Sequence, residues 1–297
     1  MKYQYNTIVI GSGVAGMTAA IYLKRSNISV MILEKESPGG QVNRTSDIEN
    51  YPGFSNIKGP DLAYNIFEQI NYLKIEYKFG DVKKIESHGE LKKVITSDNE
   101  YICKNIIIAT GRRPRQLGLE NEEKYSQSGI SYCAICDGPL YKGKKTAVVG
   151  GGNSAVEEAV YLEGICEKVY LIHKRDKFTA DEKAQKKLLD SNVEIIYNNE
   201  VIEFLDTNGK FSGIKLKDER EIEVDGLFIY IGNKPETNFL EKSDVITENG
   251  YVIVDENMMT NIKGIYACGD VIKKEFYQIS TAIGEATVAS LSIKKDC

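Results

Sequence analysis

Two cysteines separated by two residues stand in the stretch Tyr132–Pro139, YCAICDGP, and a carboxylate directly follows the second one. Cysteine pairs at this spacing can bind a metal, form a structural disulfide or transfer electrons by thiol–disulfide exchange. A structural zinc site needs about four ligands, whereas Cys133 and Cys136 supply two. The sequence contains no second CxxC, and its only histidines are His88 and His173. The pair therefore favours redox chemistry, and the sequence predicts no metal centre.

The residue after the pair has a possible role in the same chemistry. In disulfide exchange the attacking sulfur must be a thiolate, and the departing thiolate benefits from a proton donor. Asp137 follows Cys136 and can supply that proton if burial favours its protonated form. The alternative is that Asp137 only starts the turn at Gly138-Pro139. A purely structural disulfide is disfavoured, because the N-terminus has no secretory leader and a cytoplasmic location is expected.

The bulk composition restricts the possible partners. Hydrophobic residues make up 42% of the 297 residues, and no uncharged apolar run approaches the roughly 20 residues that a membrane span needs. The net charge is 38 − 43 = −5, and acids and bases are mixed along the chain. No basic stripe is therefore available to neutralise a phosphate backbone. The composition predicts no membrane anchor and no nucleic-acid partner, and the length suits two domains.

The N-terminal segment has the pattern of a dinucleotide-binding βαβ unit. A strand at Thr7–Ile10 leads into the glycine-rich GSGVAG (Gly11–Gly16), a helix follows, and the next strand ends at Glu34. Gly13 lets the backbone approach a pyrophosphate at the helix N-terminus. Glu34 stands 34 − 11 = 23 residues after the first glycine, where a carboxylate can accept hydrogen bonds from a ribose diol. The alternative is a glycine-rich turn without a ligand.

A second βαβ unit follows in the middle of the chain. A strand at Thr146–Val149 leads into GGGNSA (Gly150–Ala155), and the same spacing of 23 residues reaches His173–Arg175 in place of an acid. Lys174 and Arg175 would attract a 2′-phosphate, which a carboxylate would repel. The second unit therefore favours NADPH, and the alternative is that both basic residues lie on a solvated loop.

The two units together predict the architecture. They begin 150 − 11 = 139 residues apart, and a late strand, GIYACGD (264–270), still needs a sheet to join. We therefore predict an α/β fold of two Rossmann-like three-layer dinucleotide-binding domains, with the second inserted in the first. Two dinucleotide sites imply a flavin and a nicotinamide. The predicted flavin-binding domain comprises residues 1–113 and 238–297, and the predicted NADPH-binding domain, residues 114–237, carries the CxxC.

These motifs resemble those of bacterial low-molecular-weight thioredoxin reductase, in order and over nearly the whole chain. The motifs are GSGVAG (11–16), GGQV (39–42), ENYPGF (49–54), IIATG (107–111), CAICDG (133–138), GGGNSAVEEA (150–159), HKRDKF (173–178), ACGDV (267–271) and YQISTAIGEA (277–286). The resemblance implies a cytoplasmic homodimer that uses FAD and NADPH and reduces the disulfide of thioredoxin. It also implies that Cys136 lies nearer the flavin and that Cys133 attacks the substrate.

The resemblance further assigns binding roles by position. On the FAD side, Ser12, Gly13 and Ala15 would contact the pyrophosphate and Glu34 the adenosine ribose. Gly40, Gln41 and Asn50 would line the isoalloxazine side, Thr110 and Gly111 would close over the cofactor, Asp270 would hold the ribityl or pyrophosphate region, and Gln278 would lie beside the flavin pyrimidine. On the NADPH side, Gly152, Asn153 and Ser154 would meet the pyrophosphate, with His173, Lys174 and Arg175 around the adenosine phosphate.

The resemblance also implies a reorientation of the second domain, with hinges near 113–116 and 233–237, because the flavin must face the nicotinamide and the disulfide in turn. Two positions depart from the family pattern. Thr179 replaces the last arginine of HRRxxxR, and Tyr277 stands where arginine is common. They leave open a ferredoxin-linked thioredoxin reductase, against which the intact second glycine loop argues. A further alternative is a non-enzymatic flavin-binding redox sensor.

Overall fold

The computed structural model describes residues 3–44, 47–126 and 128–296, and of Arg44, Asp47 and Cys136 it describes the backbone alone. The chain forms two compact units. Unit 1 comprises Met1–Arg113 and Lys234–Cys297, and unit 2 comprises Pro114–Asn233. Helices and parallel strands alternate in both units, which confirms the predicted α/β class.

The strands and helices are as follows. In chain order the strands are β1 Tyr5–Ile10, β2 Val30–Glu34, β3 Asp47–Ile48, β4 Ile57–Lys58, β5 Glu76–Phe79, β6 Val82–His88, β7 Leu91–Thr96, β8 Glu100–Ile108, β9 Arg112–Pro114, β10 Ile130–Ser131, β11 Lys145–Gly150, β12 Lys168–Ile172, β13 Glu194–Ile196, β14 Val201–Thr207, β15 Lys210–Leu216, β16 Glu221–Glu223, β17 Gly226–Tyr230, β18 Asn233–Pro235, β19 Thr247–Glu248, β20 Tyr251–Val252 and β21 Ile265–Ala267. The α-helices are α1 Val14–Arg25, α2 Gly59–Tyr72, α3 Glu122–Tyr125, α4 Ala134–Asp137, α5 Asn153–Glu163, α6 Glu182–Leu189 and α7 Ile279–Lys295, and short 3₁₀ helices cover Gly40–Arg44, Gly138–Tyr141, Asn238–Leu240 and Gly269–Val271.

Unit 1 is built on a sheet with the strand order β5-β2-β1-β8-β7-β6, and β21 also pairs with β8. Strands β5, β2, β1, β8 and β21 are parallel to one another, whereas β7 is antiparallel to both β8 and β6. Side chains alternate between the faces: Val9 packs with α1, α2 and α7, whereas Ile8 and Ile10 pack with β6, β7 and the segment 240–272. Burial on both faces explains the continuous apolar run of β1.

Unit 2 has three layers. Its central sheet is parallel, with the order β10-β17-β11-β12-β13. Val148 packs with α5 and α6 on one face, and Ala147 and Val149 pack on the other face with the antiparallel sheet β14-β15-β16. The carboxyl ends of β11, β12 and β17 lie side by side, because Val149 pairs with Ile172 and Ile229. Loops that follow these strands therefore meet at one edge of the sheet.

The chain returns to unit 1 earlier than the sequence suggested. The units divide after Asn233, whereas the predicted return was at residue 238, which is 238 − 234 = 4 residues later. The reason is that Glu236 already belongs to unit 1: its N–H donates to the Gly111 carbonyl at 3.0 Å, and its carbonyl accepts the Thr110 hydroxyl at 2.7 Å. Among the described residues, no helix is both long and apolar enough to cross a membrane.

Candidate active site

The first glycine loop, Gly11–Gly16, joins β1 to α1. Gly11 has φ of +101°, and a Cβ built on it would lie 2.5 Å from the Ala109 carbonyl oxygen. A Cβ on Gly16 would lie 1.9 Å from the Gly11 oxygen. Gly13 differs, because its φ is −66° and a built Cβ meets nothing within 4 Å. The described protein therefore does not need glycine at this position, whereas a pyrophosphate resting on the backbone does.

Helix α1 begins directly at this open position. Gly13 is its N-cap, no side chain caps it, and its first turn carries no acid. The first N–H groups of a helix lack intrahelical acceptors and favour an anion. Ala15 is buried, with its Cβ 2.8 Å from a Cβ built on Gly269, so only its backbone N–H is suited to the predicted phosphate contact.

Glu34 is fixed to the first glycine loop. Its Oε2 accepts the Ser12 N–H at 2.7 Å and the Ser12 hydroxyl at 2.9 Å, and its Oε1 accepts the N–H groups of Lys35 and Glu36, each at 2.8 Å. A carboxylate has about four acceptor positions, so these bonds use its capacity. Ser12 is fully buried, and both its donors point to Glu34. The predicted pyrophosphate contact of Ser12 therefore has no donor left, and a ribose contact of Glu34 requires a shared hydrogen bond.

The second glycine loop, Gly150–Ala155, repeats this steric pattern between β11 and α5. A Cβ on Gly150 would lie 2.4 Å from the Tyr230 carbonyl oxygen, and one on Gly151 would lie 2.1 Å from the His173 ring. Gly152 is open: its φ is −90°, and the nearest neighbour of a built Cβ is the Thr179 hydroxyl at 3.8 Å. Gly152 is also the N-cap of α5 without a side-chain cap. Both loops therefore present the same unfilled approach to a helix N-terminus.

His173 lies beneath the second loop and not at its surface. It is 7% exposed, its ring is 5.2 Å from the Phe178 ring, and its Nε2 is 2.9 Å from the Lys177 carbonyl. The Gly151 backbone closes over the ring. This packing gives His173 a structural role in holding the segment 174–179, in contrast to the predicted contact with the adenosine phosphate.

Lys174 and Arg175 have the surroundings expected of residues that are available to an anion. Both side chains are exposed, and neither forms an ion pair with another described residue. Thr179 follows them, and its N–H and its hydroxyl both donate to the Gly151 carbonyl, at 2.7 and 3.1 Å. The position that carries arginine in the family pattern is thus anchored at the glycine loop itself.

Asn153 and Ser154 form the first turn of α5. The Asn153 side chain is paired with Asp181: its Nδ2 donates to the carboxylate at 2.7 Å, and its Oδ1 accepts the Asp181 N–H at 2.8 Å. The carboxylate of Asp181 also caps α6 through the Ala184 N–H at 2.8 Å. The Asn153 side chain therefore ties the loop to α6, and its backbone amide remains the group suited to a phosphate. Ser154 is exposed.

Of the predicted isoalloxazine residues of unit 1, Gly40 lies against the first glycine loop, whereas Gln41 and Asn50 are hydrogen-bonded to other segments of the unit. Gly40 has φ of +59°, and a Cβ on it would lie 3.3 Å from the Gly13 Cα, so this turn lies against the open position. Gln41 donates from Nε2 to the Arg112 carbonyl at 2.5 Å. Asn50 donates from Nδ2 to the Gln278 Oε1 at 3.2 Å.

The start of α7 and the end of β8 supply the remaining predicted contacts. Gln278 is the N-cap of α7 and forms a capping box with Thr281, whose hydroxyl accepts the Gln278 N–H at 3.1 Å. Thr110 and Gly111 are bonded to Glu236, and Gly111 has φ of +69°. The structure thus brings the predicted residues of unit 1 together around the loop and the N-termini of two helices.

A cationic cluster adjoins Asp270. The Arg112 Nε lies 3.2 Å and the Lys274 Nζ 3.7 Å from the Asp270 carboxylate, and the Arg112 guanidinium stacks 3.8 Å above the Tyr277 ring. Glu285 accepts the Lys274 ammonium and the Gly269 N–H, and burial raises the pKa of Glu285. Tyr277, which stands where arginine is common in the family, therefore packs against the guanidinium of another arginine, Arg112. Sequence reasoning missed Arg112, although it directly follows the ATG turn.

The redox turn, residues 131–137, lies within unit 2. Cys133 is disulfide-bonded, whereas the side chain of Cys136 lies outside the described part of the structure. The Cys133 N–H donates to the Ser131 Oγ at 3.1 Å, and the Ser131 hydroxyl donates to the Asp137 Oδ2 at 2.6 Å. The next amide, that of Ala134, donates to the Tyr230 hydroxyl at 2.5 Å.

Sequence reasoning missed Ser131 and Tyr230. Ser131 stands two residues before the first cysteine. Tyr230 is the last residue of β17, where it pairs with Gly150 of β11. A polar residue close to CxxC was a usable signal for Ser131. Tyr230 carries no local signal, because nearly 100 residues separate it from the turn that it contacts.

The other described cysteines differ from Cys133. Cys103, Cys166 and Cys268 are free thiols. Burial raises the pKa of Cys103 to about 12 and also raises the pKa of Cys166 and of Cys268. A thiol so strongly protonated is a poor nucleophile. Cys133 is thus the described cysteine whose surroundings suit exchange chemistry, and the described residues contain no cluster of three or more metal-ligating side chains.

Comparison with known proteins places this chain in a family. A family model for pyridine nucleotide-disulphide oxidoreductases matches residues 5–286. The thioredoxin reductase of Bacillus subtilis is 41% identical over 98% of this chain and 94% of its own length. The thioredoxin reductase structure from Streptococcus pyogenes is 42% identical, covers 97% of this chain and 96% of that chain, and has a TM-score of 0.80.

A ferredoxin-flavin thioredoxin reductase from Clostridium acetobutylicum is also similar. It is 32% identical and covers 98% of this chain and 97% of that chain, with a TM-score of 0.55. Both its identity and its TM-score are below those of the Streptococcus pyogenes structure.

Proposed function

Because the chain belongs to the pyridine nucleotide-disulphide oxidoreductases and, among them, to the thioredoxin reductases, we propose that it passes electrons from NADPH through FAD to a Cys133–Cys136 disulfide and on to thioredoxin. Family membership implies a flavin, a pyridine nucleotide and thioredoxin as protein substrate. The choice of FAD and NADPH, a homodimeric assembly and a cytoplasmic location are parts of the proposal.

The observation that carries the proposal is the difference between the two glycine loops. Both have an open glycine at an uncapped helix N-terminus, which fits a pyrophosphate. The first loop continues to Glu34, an acid that can accept a shared hydrogen bond from a ribose diol, and the second continues to the exposed Lys174 and Arg175, which suit a 2′-phosphate. These features support FAD on unit 1 and NADPH on unit 2.

The proposal assigns the electron exit to the redox turn. When bound, the flavin and the nicotinamide supply the hydride chemistry. In the dithiol form the Cys133 thiolate attacks one sulfur of the thioredoxin disulfide, that disulfide breaks, and a mixed disulfide forms. Asp137 gives a proton to the departing thiolate. Cys136 then attacks the Cys133 sulfur, which releases the second thiolate of thioredoxin and leaves the enzyme oxidised by two electrons.

The ferredoxin-linked alternative is not favoured. The Bacillus subtilis relative is a thioredoxin reductase at 41% identity, and the second glycine loop keeps its open approach at Gly152. As a thioredoxin-disulfide reductase the chain is an enzyme, which leaves no need for the sensor interpretation.

Substitution of the two cysteines tests the assignment of the electron exit. Cys133→Ser and Cys136→Ser should each abolish NADPH-dependent reduction of thioredoxin, because both sulfurs carry electrons. Each variant should keep its flavin absorbance, since neither thiol is assigned to hold the cofactor. The matched control is Cys103→Ser, in which a buried free thiol of unit 1 is replaced. Thioredoxin turnover in either redox-turn variant would overturn the proposal.

A further inference from the structure

Ser131 is in contact with both ends of the redox turn. It ends β10, is 5% exposed, and has a single hydroxyl hydrogen. Its Oγ accepts the Cys133 N–H at 3.1 Å, and the hydroxyl has two acceptors within reach, the Asp137 Oδ2 at 2.6 Å and the Cys133 carbonyl at 3.3 Å. The Asp137 N–H in turn donates to the Cys133 carbonyl at 3.0 Å.

These distances give Asp137 a partner in each of its protonation states. When Asp137 is ionised, the Ser131 hydroxyl donates to it, and a hydrogen bond to an ionised acceptor is roughly twice as strong as a neutral one. When Asp137 is protonated, its own O–H can donate to the Ser131 Oγ, and the serine hydrogen can turn to the Cys133 carbonyl. In neither state is a buried donor left without an acceptor, which would cost about 1–3 kcal/mol.

We propose that Ser131 is a positioning residue that keeps the Asp137 carboxyl aimed across the redox turn through a complete cycle of proton loss and gain. The proposal rests on the proposed function, in which Asp137 gives a proton to the departing thiolate of thioredoxin. In that step the substrate disulfide breaks and the Asp137 O–H breaks. The leaving sulfur gains the proton, and the serine hydrogen moves from the Cys133 carbonyl to the new carboxylate.

The groups that face Asp137 do not offer a substitute for this serine. Tyr141 of the adjoining 3₁₀ helix and Tyr230 of β17 interact electrostatically with the Asp137 carboxylate, and Glu158 of α5 interacts with Tyr230. Burial raises the pKa of both tyrosines, so they stay neutral over the pH range of thiol exchange. The Tyr230 hydroxyl already accepts the Ala134 N–H.

The test compares Ser131→Ala, Ser131→Thr and the matched control Ser128→Ala, whose hydroxyl is exposed and donates to the Lys124 carbonyl. Two rates are measured for each protein from about pH 6 to about pH 9.5, the range around a free thiol: flavin reduction by NADPH under anaerobic conditions, and steady-state reduction of thioredoxin. Flavin reduction should be unchanged within about twofold in every variant, because Ser131 takes no part in it.

Thioredoxin turnover should separate the variants. In Ser131→Ala kcat should fall about tenfold, the effect of one lost charge-assisted hydrogen bond. Ser131→Thr keeps a hydroxyl, so its kcat should stay within about threefold of the parental value. The kcat of Ser128→Ala should equal that of the parent. Parental kcat in Ser131→Ala, or a loss of kcat that threonine does not rescue, would overturn the proposal.

A double-mutant cycle tests the pair directly. In an Asp137→Asn background, single-turnover oxidation of the reduced enzyme by thioredoxin should change less than about twofold on adding Ser131→Ala. An equal tenfold loss in both backgrounds would show that Ser131 acts on the fold alone and would overturn the proposal. If the parent protein reduces its flavin with NADPH but leaves thioredoxin oxidised, the proposed function itself fails and this inference fails with it.

Discussion

The two glycine loops have the same backbone construction, but the strand after the first loop ends at an acidic residue, whereas the strand after the second loop is followed by basic residues. In both, one glycine is required by a carbonyl oxygen less than 3 Å from a built Cβ, and another, Gly13 or Gly152, is open. In unit 1 the next strand ends at Glu34, whose carboxylate is bonded into its own loop through Ser12. In unit 2 the buried His173 supports the segment, and the charged Lys174 and Arg175 stay exposed.

The comparison shows which part of a nucleotide site is structural and which part is left for the ligand. The acid of unit 1 already stabilises its loop before any ribose binds, because four donors converge on it. The cations of unit 2 form no ion pair with a described residue, which supports the proposal that they bind an anionic ligand. We infer that specificity for a phosphate is concentrated in unit 2.

The largest effect is expected from filling the open glycines. Gly13→Ala should reduce the FAD content of the purified protein, and Gly152→Ala should leave FAD in place but slow flavin reduction by NADPH at least about a hundredfold, because each methyl occupies the phosphate approach. Both backbones allow alanine, so thermal unfolding of the cofactor-free protein should change little. If the two substitutions have the same effect, the loops do not hold different cofactors.

Helix α5 behind the second loop carries a half-buried acid, Glu158, whereas α1 behind the first loop contains no acid. Burial, with a smaller contribution from Glu157, raises the pKa of Glu158 in α5 to about 7, and its Oε2 has no hydrogen-bond partner among the described residues. A carboxyl with a raised folded pKa contributes stability at low pH that is lost as pH rises toward 7. Glu158→Gln should therefore gain about 2 kcal/mol relative to the parent between about pH 4.5 and about pH 8, measured by urea unfolding.

The matched control for that pH dependence is Glu157→Gln, which replaces the exposed neighbour. Its stability difference from the parent should be nearly the same at both pH values. A parent protein whose stability does not fall relative to Glu158→Gln as pH rises would contradict the burial argument.

The next effect concerns the two loop ends directly. Glu34→Gln should lower the free energy of unfolding by about 1.5 kcal/mol. The glutamine side chain replaces one carboxylate oxygen by an NH₂ group, which cannot accept the hydrogen bonds that this oxygen accepts in the parent. Lys174→Gln should change it by less than about 0.5 kcal/mol, since the side chain is exposed and makes no ion pair with a described residue. Both free energies are measured by urea unfolding without added cofactor. Equal destabilisation by the two substitutions would contradict the claim that Glu34 stabilises its own loop whereas Lys174 does not.

The smallest effect is a gain. Thr179→Arg should lower the NADPH Michaelis constant by about tenfold and leave that for NADH nearly unchanged, because only NADPH carries the 2′-phosphate that a third cation can bind. The gain should shrink as salt rises, since position 179 is exposed. A matched Lys183→Arg on α6 should change neither constant. Equal improvement for both nucleotides would show that residues 174–179 do not bind the phosphate.

Local patterns predicted the glycine units well. The strand predicted at Thr7–Ile10 is Tyr5–Ile10, the strand predicted to end at Glu34 is Val30–Glu34, and the strand predicted at Thr146–Val149 is Lys145–Gly150. These elements have strong periodicity and glycine signals at their ends. The return to the first domain was predicted at residue 238 but lies at Lys234. Sequence patterns could not locate it, because the hydrogen bonds of Glu236 to unit 1 connect residues that are distant in sequence.

Side-chain roles were less accessible from the sequence. A motif indicates that Ser12 and His173 belong to a nucleotide site, but only the packing shows that Ser12 donates to Glu34 and that His173 is buried under Gly151. Tyr230 reaches the redox turn through tertiary contact alone. Cys136 and Asp137 were identified from spacing, and their roles remain predictions.

The central claim is that nicotinamide enters at unit 2 with a preference for the phosphorylated form and reduces a flavin held by unit 1. The direct measurement is an anaerobic titration of the purified protein with NADPH and, separately, NADH, followed by flavin absorbance and repeated with a Lys174→Ala, Arg175→Ala variant. We predict that NADPH bleaches the flavin at a concentration at least about tenfold below that required of NADH, and that the double substitution removes this difference. A flavin that neither nucleotide reduces, or a preference that survives the double substitution, would contradict the account.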